Sequence, residues 1–333
     1  MNIPPKHTLI FCIALIMISL AYPKELFSQN KINPEHYGSD SDSIPVFHYD
    51  IVRNRPDSVA RLTFIIYPFE EALNDVSNNV IQAYCSYDLN KKVNLYCTAS
   101  IAYNEDRGAG GPRPLVYIPY FNIETGSNIY FYRKSLTANS RMFFPTDPGN
   151  SLSAKFIRNH LIKIGIHGGV GFLNSTIASY NKELIGYNTS DPTQKKLDIK
   201  NSLPQYTYAA TNAQTPYLSA GLVMENVKDL AINIEKLKRK EIMHKTSFYL
   251  DLLASPYSHY DDIVIPDYIE IPKGIYNVNQ YSPKQLFGFR AGWSYYSLKK
   301  LGLAFGAEGG IMPNSGAFLN LKIGLAFSPK GNR

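Results

Sequence analysis

Apolar and other side chains alternate regularly along residues 285–328. Three segments, 286–296, 301–312 and 316–327, carry apolar residues at every odd position from Phe287 onward. A period of two is typical of β-strands, because successive side chains point to opposite faces of a sheet. The pattern therefore predicts three antiparallel strands, each with one wholly apolar face, joined by short turns.

The even positions of these strands distinguish between two architectures. They hold mostly glycine and other small or uncharged residues, and their only charges are Arg290, Glu308 and Lys322. A face in contact with bulk water would carry more charges, whereas a narrow barrel lumen favours small residues. We therefore predict a membrane barrel whose odd positions face lipid and whose even positions face inward. A soluble β-protein is the alternative.

Similar alternation continues upstream. The clearer segments are 81–89, 93–103, 160–173 and 246–254, and the weaker ones are 59–67, 116–133 and 217–224. With the last three strands these make ten, an even number that leaves both chain termini in the periplasm. The predicted fold is an all-β, antiparallel, up-and-down transmembrane β-barrel over residues 58–328, with eight or twelve strands as alternatives.

The connections between these strands differ in length. The long ones, 174–215 and 255–284, fall on the outer face, and short turns near Asn90 and Leu298 fall on the periplasmic face. Residues 134–157 would then be an unusually long periplasmic connection. Residues 227–243 are ambiguous between an additional strand and an amphipathic helix.

The N-terminal residues predict export. An uncharged run from Leu9 to Tyr22 follows Lys6 and is short for a spanning helix, which needs about 20 apolar residues. Ser28 before Gln29 supplies the small residue that a signal peptidase requires. We expect a signal peptide at 1–28, with an uncleaved anchor as the alternative. A polar extension at 29–57 and a tail at 329–333 flank the barrel.

Composition limits the classes of partner and cofactor that the chain is expected to bind. Charged residues make up 18% of the chain, and the net charge of +7 favours anionic partners such as lipid head groups. An exported protein has little access to nucleic acid, so none is expected as a partner. The chain has no CxxC motif and no His/Cys cluster, and we therefore expect neither a metal nor a cofactor.

Several motifs resemble one bacterial group. The signal ending Phe27-Ser28-Gln29, the tyrosine-rich strands and the closing strand LNLKIGLAFS are similar to outer-membrane β-barrel proteins of the Bacteroidota. The resemblance implies an outer-membrane location, lipid contacts and a barrel assembly machinery that reads a C-terminal aromatic residue, for which Phe327 is the best match. The segments 42–44 and 57–59 are similar to the O-glycosylation motif of that group.

Candidate catalytic groups are sparse. Residues 259–262, His-Tyr-Asp-Asp, lie in a predicted outer loop near Ser255 and Ser258, but their spacing alone does not build a triad. His167 and the glycines after it lack the Gly-Lys-Ser/Thr element of a phosphate loop. The basic run of Lys236, Lys238, Arg239 and Lys240 is either a solvated turn or a contact for anionic head groups.

We therefore expect no catalytic residue. The leading function is a non-enzymatic outer-membrane barrel whose surface loops bind or anchor a partner. Its alternatives are an outer-membrane hydrolase acting at the barrel rim and a soluble periplasmic β-protein. A ten-stranded lumen filled by side chains conducts little, so a general porin is not expected.

The three interior charges are expected to meet. A three-residue turn that pairs Ser297 with Leu301 places Arg290 directly opposite Glu308. The next turn places Asn320 opposite Glu308, with Lys322 as the diagonal neighbour. The four side chains would form a charged cluster in the lumen that closes it and holds the strand register, rather than an ion or substrate path. Because glycines flank the charges, no acid–base partner is expected beside them.

Two cysteines follow the predicted signal peptide. A short turn after Leu89 pairs it with Val93 and therefore places Cys85 directly opposite Cys97 on the lipid-facing side. An oxidising periplasm permits a disulfide. Two free thiols packed as small apolar groups are the alternative.

Signal peptidase is expected to cleave between Ser28 and Gln29, because the apolar run ends before a small residue there. N-terminal sequencing of the mature protein checks this. A mature chain that begins at Met1 would contradict export by this route.

Overall fold

The computed structural model describes a discontinuous set of residues. They are 49–54, 56, 62–73, 77–105, 119–147, 150–179, 182–191, 193, 196–203, 209–234, 240–266 and 272–329. The chain divides into two compact units, Met1–Phe47 and His48–Arg333, and every described residue belongs to the second. The predicted signal peptide, both glycosylation motifs and residues 330–333 lie outside the described residues.

Sixteen strands and one short helix make up the described chain. In order they are β1 (Tyr49–Arg53), β2 (Leu62–Leu73), β3 (Ser77–Asp88), β4 (Val93–Glu105), β5 (Phe121–Asp147), β6 (Asn150–Ala178), β7 (Ile185–Asn188), β8 (Leu197–Asp198), α1 (Ile199–Ser202), β9 (Ala210–Ile234), β10 (Lys240–Ala254), β11 (His259–Tyr260), β12 (Ile263–Ile265), β13 (Gly274–Asn277), β14 (Phe287–Ser297), β15 (Gly302–Met312) and β16 (Gly316–Phe327). Among the described residues, no helix is both long and apolar enough to cross a membrane.

Ten of these strands form a closed antiparallel barrel. The order around it is β2, β3, β4, β5, β6, β9, β10, β14, β15 and β16. The barrel closes where β16 pairs with β2, so that Phe327 lies opposite Phe64. The predicted all-β, ten-stranded, antiparallel barrel is confirmed, and each predicted strand overlaps one of the ten.

The alternation of side chains follows the predicted faces. On β16, Leu321 is 52% exposed on the outer surface, whereas Lys322 is 9% exposed and points inward. On β10, Leu252 is 73% exposed and the neighbouring Asp251 is fully buried. The outward-facing side chains of these strands are therefore apolar, whereas the charged side chains beside them point inward.

Two predicted connections are instead strand extensions. Residues 134–157 continue the β5–β6 ladder as far as the pair Asp147 and Asn150, and so do not form a long loop. Residues 227–234 complete β9 and residues 240–243 begin β10, so these described parts of 227–243 belong to two long strands and form neither a separate strand nor a helix. The prediction failed for 134–157 because this segment is largely polar, so the two-residue apolar period disappears while the hydrogen bonds continue.

The predicted polar extension also contains structure. β1 pairs with the far end of β9, where Ile51 lies opposite Ile232. Asn54 then links this segment to β6, because its Oδ1 accepts a hydrogen bond from the Asn159 backbone amide at 2.7 Å. The N-terminal segment therefore occupies the strand edge that opens where β6 and β9 part.

We call the end of the barrel that carries the β3–β4, β5–β6, β9–β10 and β14–β15 connections the turn end, and the opposite end the loop end. The turn after β15 matches its prediction, since Met312 pairs with Gly316 and Glu308 with Asn320. Asn314 and Gly316 adopt positive φ values of 60° and 87° there. Glycine tolerates this backbone conformation and asparagine reaches it more readily than most residues.

The register of β14 and β15 differs from the prediction. Tyr296 pairs with Ala304, so Ser297 does not pair with Leu301, and Arg290 lies opposite Gly310 instead of Glu308. The connection is longer because the Leu298 amide donates to the Met243 carbonyl at 2.9 Å and its side chain is buried. A shift of this size keeps every side chain on its predicted face, because the alternation has a period of two.

The two long connections fold together at the loop end. β12, β13, β7 and β8 form a small sheet, in which Tyr276 of β13 lies opposite Asn188 of β7. We call β7, β8, α1, β11, β12 and β13 the loop-end cap. Its buried apolar core is Leu184, Ile199, Tyr260, Ile263, Ile265, Tyr276 and Val278, together with Ile177, Ala209 and Ala213 from the adjoining segments.

A half-buried lysine connects the cap to the barrel. Lys182 Nζ donates to the Tyr260 hydroxyl at 2.5 Å and to the Asn314 carbonyl at 2.9 Å in the β15–β16 turn. Burial raises the pKa of Tyr260 to about 12, so its hydroxyl stays protonated near neutral pH. The cap is thus bound to the barrel rim by polar as well as apolar contacts.

The two cysteines lie where the turn after Leu89 predicts them. Cys85 pairs directly with Cys97 across β3 and β4, and both thiols are free in the structure. Directly opposed Cβ atoms, about 4.5–5.5 Å apart, are slightly far apart for a disulfide unless the strands adjust. The disulfide remains a prediction, and mass spectrometry of the intact protein without reductant checks it.

Candidate functional site inside the barrel

Arg290 is the centre of the polar interior. Its Nη1 and Nη2 donate to the two carboxylate oxygens of Glu124 at 2.5 and 2.6 Å, and its Nε donates to Asp251 at 2.9 Å. Asp251 lies directly opposite Arg290 on β10, whereas Glu124 reaches it from β5 on another part of the wall. This bidentate pair therefore joins strands that share no backbone hydrogen bonds.

Glu124 is held by three further donors. Its carboxylate accepts hydrogen bonds from the Tyr96 hydroxyl at 2.8 Å, the Tyr217 hydroxyl at 2.9 Å and Ser219 Oγ at 3.1 Å. Because Glu124 is only 1% exposed, these donors replace the water that an ionised carboxylate requires. The carboxylate is thus both charged and fixed in place.

His167 joins the same network from β6. Its ring stacks between those of Tyr96 and Tyr249, with centroid distances of 4.8 and 5.2 Å. Its Nε2 lies 3.0 Å from the Tyr96 hydroxyl and 3.3 Å from Asp251 Oδ2, and its Nδ1 lies 2.7 Å from Asn128 Oδ1. Both ring nitrogens therefore have partners, which fixes the orientation of the imidazole.

Glycines make room for the tyrosine rings. A Cβ added to Gly171 would lie 2.3 Å from Cζ of Tyr217, and one added to Gly292 would lie 2.2 Å from Cζ of Tyr249. The inward-facing glycines of these strands therefore provide the space into which large rings from neighbouring strands pack.

The predicted cluster forms around Glu308, with a different geometry. Lys322 Nζ donates to Glu308 at 3.0 Å, and Arg290 Nη1 lies 3.6 Å from the other oxygen of that carboxylate. Asn320 is buried opposite Glu308. Lys322 also lies 3.5 Å from Glu70. The structure thus brings the predicted charges together, but Arg290 approaches Glu308 diagonally and binds Glu124 and Asp251 more closely.

One expectation about this cluster is wrong. We expected no acid–base group beside it, because glycines flank the charges along their own strands. Glu124, Asp251 and His167 adjoin Arg290 from other strands. The error has a geometric cause, since side chains that converge on the axis of a narrow barrel meet residues from distant strands.

A separate ion cluster lies nearer the turn end. Glu225 on β9 pairs with Lys245 on β10 and lies 3.5 Å from Lys163 on β6. Lys163 Nζ also lies 4.8 Å from the centroid of the Tyr130 ring. All three charged groups are buried, so this cluster adds a second polar layer to the interior.

Two cavities lie on either side of the Arg290 network. The larger offers about 110 Å³ to the centres of water molecules and the smaller about 20 Å³, and both are lined by Asn122, Arg290 and Glu308. Because one water needs roughly 10–15 Å³ by this measure, the larger cavity can hold several. Arg290 and Glu308 of the ion network therefore contribute to the walls of both cavities.

Buried apolar side chains fill the lumen beyond these polar layers. Toward the loop end they are Val80, Tyr120, Leu173, Tyr217, Leu253 and Met312. Toward the turn end they are Ile65, Tyr67, Leu161, Val227, Met243, Tyr296, Leu298, Ala304 and Ala326. The polar network is thus enclosed between two apolar layers.

The rim residues considered for catalysis have structural contacts. His259 Nε2 lies 3.8 Å from Asp261 Oδ1, and Asp261 Oδ2 accepts a hydrogen bond from Asn212 Nδ2 at 2.9 Å. Ser255 Oγ donates to the Tyr257 carbonyl at 2.6 Å and not to a histidine. These contacts hold the segment after β10 against β9.

The remaining motifs carry no catalytic geometry. The glycines after His167 lie within β6, and Lys240 is the first residue of β10. Lys236, Lys238 and Arg239 lie outside the described residues. Over the described ranges, no group of three or more His, Cys, Asp or Glu residues is placed to hold a metal ion.

Comparison with known proteins does not assign the chain to a family. No protein-family model matches the chain, and no curated protein matches its sequence. The interior geometry itself therefore carries the functional argument.

Replacing Arg290 with methionine is expected to lower the free energy of unfolding by about 3–5 kcal/mol, because Glu124 and Asp251 would remain buried without their cation. Urea unfolding of the folded barrel measures the change. Lys300→Met is the matched control, since Lys300 is exposed in a turn and should change stability by less than about 0.5 kcal/mol. Equal stability of the two variants would contradict a structural role. Unchanged stability with loss of an activity would support a functional one.

Proposed function

We propose that the protein is a non-enzymatic outer-membrane β-barrel of a Gram-negative bacterium, exported through a cleaved signal peptide, whose loop-end cap binds or anchors a partner at the cell surface. The observation that carries this proposal is the reversed polarity of the barrel, with apolar side chains outside and ion pairs inside. The barrel assembly machinery and outer-membrane lipid are the partners that this location implies.

The apolar outer surface continues from strand to strand. Ile166 on β6, Leu222 on β9 and Leu250 on β10 lie side by side, and each is at least half exposed. Exposed apolar side chains also occur on the other barrel strands, among them Phe64, Ile81, Leu95, Ile129, Phe287, Leu303 and Ile323. Such a surface is costly in water and favourable in hydrocarbon, which supports a lipid environment.

The interior supports a barrel without a general pore. Arg290, Glu124 and Asp251 bind one another between the two cavities, and apolar layers lie toward either end. A ten-stranded barrel is narrow enough for its own side chains to fill it. The interior polar groups are therefore used for stability and not for passage.

The loop-end cap supports a docking role. It has its own small sheet and buried core, so it presents a fixed surface instead of separate flexible loops. Preorganised surfaces bind partners with a smaller loss of conformational entropy. This favours recognition by the cap over a purely structural loop.

Cell fractionation and labelling test the location. The protein is expected in outer-membrane fractions, with a gel mobility that changes on boiling. In a Cys85→Ser/Cys97→Ser background, Lys200→Cys in the cap should react with an impermeant maleimide on intact cells. Lys300→Cys at the turn end should react only after lysis. Both lysines are exposed, so access alone distinguishes them. Recovery in the soluble periplasmic fraction would contradict the proposal.

Substitution by arginine at the middle of the outer surface tests whether that surface contacts lipid or water. Leu321→Arg is expected to cost about 2–4 kcal/mol in folding stability if residue 321 lies near the bilayer midplane. Leu89→Arg is the control, because Leu89 is equally exposed but sits in the β3–β4 turn, where the cost near the interface is about 0–1 kcal/mol. Stability is measured by urea unfolding in lipid vesicles. Equal stability of both variants would rule out the lipid-facing assignment.

A further inference from the structure

Three basic side chains form a row on the outer surface near the turn end. Lys228 on β9 lies directly opposite His160 on β6 and, on its other side, directly opposite His244 on β10. Directly opposed residues of antiparallel strands project from the same face, with Cβ atoms about 4.5–5.5 Å apart. Lys228 shares its outward face with the exposed Leu218 and Leu222 of the same strand. We call these three residues and Arg158, which precedes His160 by two positions on β6, the basic row.

Within the part of the chain that the structure describes, no acidic side chain pairs with the basic row. Over the described residues, no hydrogen bond or ion pair joins these four side chains to another group, and Arg158 Nε is buried without a partner. Lys228 and Arg158 are the charges that act most strongly on His160 and His244. His160 is buried, while Arg158, Lys228 and His244 remain partly exposed. Cationic groups placed together without an anion destabilise a fold unless a ligand supplies one.

The outer surface becomes apolar a short distance from the basic row. Moving from the row toward the middle of the barrel, Asn226 and Thr246 come first, followed by Ile164, Met224 and Phe248 on adjacent strands. Ile166, Leu222 and Leu250 come next and are exposed. The His244 ring also lies against that of Tyr295, with a centroid distance of 5.0 Å. A cationic group thus sits at one end of a continuous apolar strip.

We infer that the basic row binds the phosphate of an anionic glycerophospholipid whose acyl chains lie along the apolar strip. Guanidinium and ammonium groups donate charge-assisted hydrogen bonds to phosphate oxygens, and basic pockets beside lipid-facing surfaces hold anionic head groups. The inference rests on the membrane location proposed above. It deepens that proposal by assigning a lipid class and a position, at the leaflet that faces the turn end.

Lipid binding to the purified barrel tests the site. Native mass spectrometry in detergent compares phosphatidylglycerol with phosphatidylcholine for the wild type, for Arg158→Gln/Lys228→Gln, and for Lys91→Gln/Lys300→Gln. The last variant removes the same charge from exposed turns. At about 5-fold for each lost cation, the row variant should bind phosphatidylglycerol roughly 25-fold more weakly. The turn variant should bind it like the wild type, and phosphatidylcholine should bind more weakly to both the wild type and the turn variant.

The remaining outcomes are also decisive. Equal weakening in the row and turn variants would overturn the site in favour of general charge attraction. Displacement of the lipid by inorganic phosphate at millimolar concentration would overturn the lipid assignment and leave a simple anion site. Gel mobility before and after boiling shows whether each variant is folded, and Lys228→Gln alone replaces the double variant if that one fails to fold, with about 5-fold weaker binding expected.

The fractionation experiment distinguishes failure of the proposed function from failure of the lipid-site inference. A protein absent from the membrane fraction contradicts the proposed function. A membrane-located protein whose row variants keep full lipid affinity contradicts this inference alone.

Discussion

The ion pair between Arg290 and Glu124 is the contact on which the interior depends. It connects β14 with β5 by two short hydrogen bonds, and Asp251 on β10 accepts a third hydrogen bond from the same guanidinium. Tyr96, Tyr217 and Ser219 in turn donate to Glu124, so strands from much of the wall meet at one carboxylate. Backbone ladders hold neighbouring strands only, whereas this network holds the barrel across its width.

The network also relates the inside of the barrel to its outside. Charged groups can be buried only when their partners and hydrogen bonds replace water, and the enclosed ladders and tyrosines provide that environment. The outward positions carry no such requirement, so they can be uniformly apolar, as Leu250 and Leu252 are on either side of Asp251. Each strand thus contributes an apolar face to the outer surface and a polar face to the interior, and its period-two pattern reflects that division.

Local features of the fold were predictable from the sequence, and distant ones were not. The faces of β14, β15 and β16 follow from alternation, and the register that pairs Cys85 with Cys97 follows from the turn after Leu89. The β14–β15 register was wrong because Leu298 packs inside and lengthens the turn. The error in this register shows that the length of a turn cannot be predicted from the polarity of its residues alone.

The partners of Arg290 show more clearly which contacts the sequence could not predict. Asp251 was detectable as a charge between Leu250 and Leu252, and His167 as a polar residue that follows Ile166 in an alternating segment. Their meeting with Glu124 was not detectable, because contacts across a lumen depend on how strands tilt and stagger around the axis. Alternation specifies the face of each residue but carries no information about that stagger.

The pairing of β2 with β16 has a consequence for how the protein reaches its final form. Phe64 can pair with Phe327 only after nearly the whole chain is present. Closure of the barrel over such a sequence distance is slow, because the loss of chain entropy precedes the stabilising contacts. Until then β2 and β16 expose unpaired edges and apolar faces that favour aggregation. A barrel of this topology therefore cannot close until its last strand is present, so closure depends on the two ends of the barrel segment meeting.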